Sequence, residues 1–240
     1  MKNHSKTKEQ THMSFELPEF TLSQSTSQVI YKRCQTALVV LAIGIIANLA
    51  LRIDFVLLNG NVGEISVTEM LQQLLLIVTS GSFAYLARNR SEVKHAAVLI
   101  STFFAVLFIR EMDFWFDKIA HGAWVVPAAL VAGSAIFYAV KNGKRTIDQL
   151  ALILASPHMN LLVTGVMLLL VFSRLFGMGS FWHNVMGDDY VRAVKNIAEE
   201  GTELLAYCLI AFASLKTVLG ITRKNNDLSP PAKSMIRFRV

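Results

Sequence analysis

Long apolar runs separated by short polar segments dominate this chain. A helix that crosses a bilayer needs roughly 20 mostly apolar residues. Five stretches meet that need at about 35–58, 68–87, 94–112, 120–140 and 158–176. A sixth follows from a long helix that opens at Asp188 and Asp189, read as its cap and first turn, and turns wholly apolar from Leu204 to Leu219. The breaks carry turn and cap chemistry. Asn59-Gly60-Asn61-Val62-Gly63 closes the first run, and Gly177-Met178-Gly179 closes the fifth. Ser66 or Thr68 caps the second helix, with Glu69 in its first turn, where the helix dipole favours an anion. The run 146–155 is apolar but short, and Ser156-Pro157 follows it, so it reads as a helix lying on the membrane surface. The pattern predicts an all-α integral membrane bundle of about six transmembrane helices plus one short interfacial helix. Its expected organisation is a disordered cytoplasmic tail at 1–30, polar and without a signal-like apolar run, a membrane domain at 31–222 and a flexible cytoplasmic tail at 223–240.

Composition agrees with that pattern. The chain is 53% hydrophobic and 17% charged, with mean hydropathy +0.46, whereas soluble domains carry about a quarter charged residues. The net charge of +6 is read as topology rather than nucleic-acid binding, because cytoplasmic loops collect Lys and Arg. Of the 23 basic residues, only Arg52, Arg110, Lys118, Arg174, Arg192 and Lys195 fall on the side opposite the termini. Both termini are therefore expected in the cytoplasm of a cell with an inner membrane, and the carboxylate-rich face in the periplasm. The bilayer is the expected partner, with a cation or small ligand on the periplasmic side and no nucleic acid. Cys34 and Cys208 lie at opposite ends of the membrane region and lack zinc-site spacing, so no disulfide or metal framework follows from them.

Ionisable residues at the edge of apolar spans are costly and point to function by default. The outer face gathers Glu69, then Arg110, Glu111, Asp113, Asp117 and His121, then Arg174, His183, Asp188 and Asp189, and finally Glu199, Glu200 and Glu203. Asp113, Asp117 and His121 are spaced by four, as are Glu199 and Glu203, which stacks side chains on one helix face. Carboxylate and imidazole together suit a divalent cation such as zinc or manganese, for which Asp117, His121, Glu199 and Glu203 are the candidate ligands. The same groups suit proton transfer. A hairpin must turn between Phe114 and Ala120, however, which breaks the first of those faces.

Three functional readings follow. The cluster binds a cation or relays protons for transport or sensing. It serves a membrane-embedded enzyme acting on a lipid or periplasmic substrate, with Glu203 or His121 as acid and base. Or it is structural, with Arg110, Arg174 and Arg52 pairing with Glu203, Glu111 or Asp54. Trp115, Trp124 and Trp182 fall where an interfacial aromatic belt belongs. Ser173-Arg174 followed by His183 and Asp188 has the wrong spacing for a membrane phosphatidic-acid phosphatase and lacks its companion motifs. No His-x3-His pair exists for a ceramidase-type zinc site. His95 and His158 at one edge and His121 and His183 at the other do not stack on shared helices, so haem is set aside.

The segments Arg-Glu-Met-Asp-x3-Asp-x3-His-Gly-x-Trp at 110–124, Phe-Ser-Arg-Leu-Phe-Gly at 172–177 and Gly-Asp-Asp-Tyr through Glu-Glu-Gly-x-Glu-Leu-Leu at 187–205 together resemble a group of small bacterial inner-membrane proteins of unknown function. The resemblance covers about 68–219. It implies a shared membrane fold and location, and a single feature built from Glu69, Glu111, Asp113, Asp117, His121, Arg174, Asp188, Asp189, Glu199, Glu200 and Glu203, without implying a reaction.

Overall fold

The computed structural model describes residues 26–57 and 66–228. It contains helices and no strand among those residues. In chain order the helices are α1 (Thr26–Arg52), which runs on into a π turn (Ile53–Leu57), α2 (Val67–Asn89), α3 (Lys94–Glu111), α4 (Asp113–Asp117), α5 (Val125–Asn142), α6 (Lys144–Leu154), α7 (Met159–Met167), α8 (Ser173–Gly177), α9 (Gly179–Met186) and α10 (Arg192–Leu228). A second π turn (Leu168–Phe172) joins α7 to α8 as one span. Six helical stretches among the described residues are long and apolar enough to cross a membrane: Thr26–Leu57, Val67–Asn89, Ser91–Glu111, Val125–Asn142, Met159–Gly177 and Arg192–Arg223. The fold is thus the expected all-α bundle of a multi-pass membrane protein.

Residues 1–40 and 41–240 form separate units. The described part of the first is the opening stretch of α1. Gln35 Nε2 donates to Tyr31 Oη at 3.1 Å, and Ile30, Tyr31 and Leu38 are exposed, as expected of a helix surrounded by lipid. Helix enters the ranges of both expected tails. Residues 26–30 are already helical, since no Gly or Pro stands between Thr26 and Cys34 to stop them. At the other end α10 runs to Leu228, the last described residue. The rest of both tails, 1–25 and 229–240, lies outside the described residues.

In the second unit, α2 packs on α3 and α10, α3 packs also on α5 and α6, and α10 packs on α7 and α8. Lipid tails are as apolar as leucine, so close packing and buried hydrogen bonds must hold such helices together. Both are present. Ser80 Oγ donates to the Ser101 carbonyl at 2.9 Å, and Ser101 Oγ returns a bond to the Ser80 carbonyl at 2.8 Å, clasping α2 to α3. Gly165 lets α7 approach α10 so closely that a methyl there would stand 2.8 Å from Ile210 Cγ1. Phe83, Phe104, Ile210 and Tyr207 fill the centre.

The start of α2 has two sets of caps. Of the two residues expected to cap it, Ser66 does so, in a reciprocal capping box with Glu69. Asp54, on the first π turn and fully buried, adds a carboxylate that accepts from Val67 N at 2.9 Å and from Thr68 N at 2.8 Å. Arg52 is exposed and forms no ion pair with Asp54.

Three boundaries differ from expectation. The fourth span starts at Val125 rather than Ala120, because the chain turns through Gly122 at φ 75°. α6 lies where a surface helix was expected, but its Thr146, Gln149 and Ile153 face is buried in the bundle. Gln149 Oε1 accepts from His95 N at 2.7 Å and so caps α3, while Ile147 and Leu152 stay exposed. Asp188 and Asp189 do not cap α10. They sit in a 3-10 turn (Gly187–Asp189) entered through Gly187 at φ 58°, and α10 begins only at Arg192.

Candidate functional site

The acidic end of the bundle is organised by α10. Glu199, Glu203 and Tyr207 recur every fourth residue and so form one stripe. Glu203 is 8% exposed and Tyr207 1%. Tyr207 Oη donates to Glu111 Oε1 at 2.9 Å, linking α10 to the last residue of α3. Arg110 Nη2 stands 3.4 Å from the same oxygen. On the other side of the stripe, Ser173 Oγ reaches Glu203 Oε1 at 3.3 Å and also donates to the Leu169 carbonyl. Ser173 is fully buried and immediately follows the second π turn, an irregularity that recurs at functional sites. Further out, Glu199 takes Lys195 Nζ at 2.7 Å, and its carboxylate presses on Gly177, where a side chain would collide with it.

Two glutamines of α2 tie this region together. Gln72 Nε2 donates to the Glu200 carbonyl at 3.2 Å, and Gln73 Nε2 to the Glu111 carbonyl at 3.3 Å. Beside Gln73 opens a cavity of about 410 Å³ lined by Glu69, Gln73, Glu111, Asp113, Phe114, Trp115, Asp117 and Lys118. Lys118 lies over the Phe114 and Trp115 rings at 4.3 and 4.0 Å, so its charge is held by π faces. Glu111 belongs to both places: its carboxylate is bonded to a core tyrosine, and it lines the acidic cavity.

The structure therefore brings Glu69, Glu111, Asp113 and Asp117 to one cavity. Behind it Arg110 pairs with Glu111, with Glu203 and Glu199 within electrostatic reach, while Glu200 faces Glu69 and Asp54 instead. The structure leaves the others apart. His121, its side chain 98% exposed, bonds Asp117 through Nδ1 at 3.0 Å, and Gly122 N donates to the other Asp117 oxygen at 2.8 Å. His183 is exposed and stacks on Tyr190, ring centres 4.0 Å apart. Asp188, Asp189 and Arg174 are exposed, and Arg174 pairs with no carboxylate among the described residues. Asp117, His121, Glu199 and Glu203 do not converge as metal ligands, and no group of three or more His, Cys, Asp or Glu side chains among the described residues is placed to hold a metal ion. The turn at Gly122 is the reason: it points His121 outward, while Glu203 lies one helical turn deeper than Glu199.

Tyr207, Ser173, Gln72 and Gln73 were missed as site residues. Tyr207 could have been found, since it continues the Glu199–Glu203 spacing. Ser173 could not, because nothing in the sequence announces the π turn that aims it. Trp182, expected as a membrane-edge anchor, donates through Nε1 to the Phe176 carbonyl at 2.7 Å and so fastens α9 to the end of α8. Comparison of the chain with protein-family models, with curated proteins and with solved structures finds no match.

Proposed function

We propose that this is a multi-pass protein of a bacterial inner membrane, with both termini cytoplasmic, whose Glu111–Glu203 site takes up a proton or a small monovalent cation from the periplasmic side for transport or sensing. The sidedness rests on the distribution of Lys and Arg. The chemistry rests on one observation above all: Glu111 lines an acidic cavity and at the same time bonds the buried Tyr207 beside Glu203.

Local charge supports the reading. Asp54, Asp117 and Glu199 each have partners that satisfy them. Behind the cavity, one guanidinium, Arg110, faces two carboxylates, Glu111 and Glu203. Among the described residues, Glu203 receives one hydroxyl, which it shares with the Leu169 carbonyl. A buried charge needs a partner, and a cation arriving through the cavity supplies the missing positive charge. Carboxylates placed this way within membrane spans mark ion and proton paths.

The test is thermal unfolding of the purified full chain across a pH series and a sodium series. A shift of the wild-type midpoint with either ion, flattened in Glu203→Gln and Glu111→Gln, is the expected result. A wild type indifferent to sodium, with a pH response unchanged in both variants, overturns the reading. Flux into proteoliposomes then separates transport from sensing.

A further inference from the structure

The opposite end of the bundle carries a second, unrelated feature. Where α2 ends and α3 begins, a crevice of about 690 Å³ is bordered by Arg88, Asn89, Ser91 and Lys94, with Ala87 and Val98 below them. Arg88 and Lys94 are both exposed and neither forms an ion pair among the described residues. They stand at the ends of two spans, Val67–Asn89 and Ser91–Glu111, and so at the level where headgroups lie. Further in, the crevice passes Ser101 and reaches Thr102, whose hydroxyls are taken up by the Ser80 and Val98 carbonyls. Thr102 also lines an otherwise apolar groove of about 420 Å³ bordered by α3, α5, α6 and α7.

We propose that this crevice binds an anionic phospholipid, its phosphate held by Arg88 and Lys94 with Asn89 and Ser91 as hydrogen-bonding neighbours, and an acyl chain following the apolar wall toward Thr102. Two cations, a polar rim and an apolar channel in that order match a lipid, which has charge at one end and hydrocarbon at the other. A free anion would use the cations and leave the channel unused. Basic pockets between transmembrane helices are known headgroup sites in general, and lysine and arginine at span ends readily extend toward the interface.

The experiment is native mass spectrometry of the delipidated full chain titrated with phosphatidylglycerol, phosphatidylcholine or inorganic phosphate. The wild type is expected to retain phosphatidylglycerol over phosphatidylcholine, and the Arg88→Gln/Lys94→Gln double variant to lose about tenfold of that preference. Lys144→Gln/Arg145→Gln removes two exposed cations outside the crevice and is expected to leave the preference intact. Thr102→Trp, which blocks the inner end, is expected to weaken lipid retention while the cations remain. Circular dichroism and gel filtration confirm that each variant is folded, and a double variant that is not is replaced by Arg88→Gln or Lys94→Gln alone. Equal retention of the two lipids by the wild type overturns the proposal, as does an equal loss from the control pair. Displacement of phosphatidylglycerol by equimolar inorganic phosphate also overturns it, in favour of a free-anion site.

Discussion

Tyr207 donates its hydroxyl to Glu111 across 2.9 Å, so the most buried aromatic of α10 holds the carboxylate that borders the acidic cavity. A hydrogen bond to a charged group contributes about 1.5–3 kcal/mol. Tyr207→Phe keeps the ring packing and removes only that bond, and is expected to lower stability by about that amount in chemical or thermal unfolding. Combined with Glu111→Leu, which removes the acceptor, the two losses are expected to be less than additive, since both variants cut the same contact.

Asp54 is a structural carboxylate rather than part of the cavity. It accepts two backbone N–H groups and the Thr68 hydroxyl at the start of α2, fully out of contact with solvent. Asp54→Ala leaves those donors without partners and is expected to cost about 2 kcal/mol. The pH and sodium responses of the midpoint, if they arise at Glu111 and Glu203, are expected to survive in this variant.

Two glycines in the spans predict opposite outcomes. Gly165→Ala meets Ile210 Cγ1 at 2.8 Å and the Ala206 carbonyl at 3.4 Å, so α7 and α10 must part, at about 1–3 kcal/mol. Gly81→Ala meets nothing within 4 Å and is expected to be neutral or slightly stabilising. Equal destabilisation by both would show that the α7–α10 contact is not as close as described.

Metal content separates the local Asp117–His121 pair from a true metal centre. The pair is exposed and has no third ligand beside it among the described residues. His121→Ala is expected to leave the metal content of purified protein, measured by elemental analysis, the same as wild type. A stoichiometric metal in wild type that vanishes in the variant would contradict this placement.

Much of the architecture was legible because apolar run length is a strong signal. The Ser66–Glu69 cap and the stop at Gly177 could be read from single residues with a specific backbone role. Boundaries set by glycine turns were less legible: Gly122 and Gly187 each delay the following helix past the residues that local pattern would place in it. In the site, Glu111 and Glu203 stand out as charges at the edges of apolar runs. Spacing also favoured His121, which the turn at Gly122 sends outward. Tyr207 extends the Glu199–Glu203 spacing, but what it and Ser173 bond lies on other helices, 96 and 30 positions away, where sequence gives no pairing.

The surplus residue in the turn Leu168–Phe172 has a mechanical meaning. Each residue of a regular helix advances the direction of its side chain by about 100°, so the two halves of this span are out of angular phase with one another. Deleting one residue there would straighten the coil and swing Ser173 away from Glu203, while α7, anchored through Gly165 on α10, stayed where it is. The irregularity thus lets one rod keep apolar side chains exposed along its whole length, Val163 and Met167 before the turn and Leu175 after it, and still aim the Ser173 hydroxyl inward.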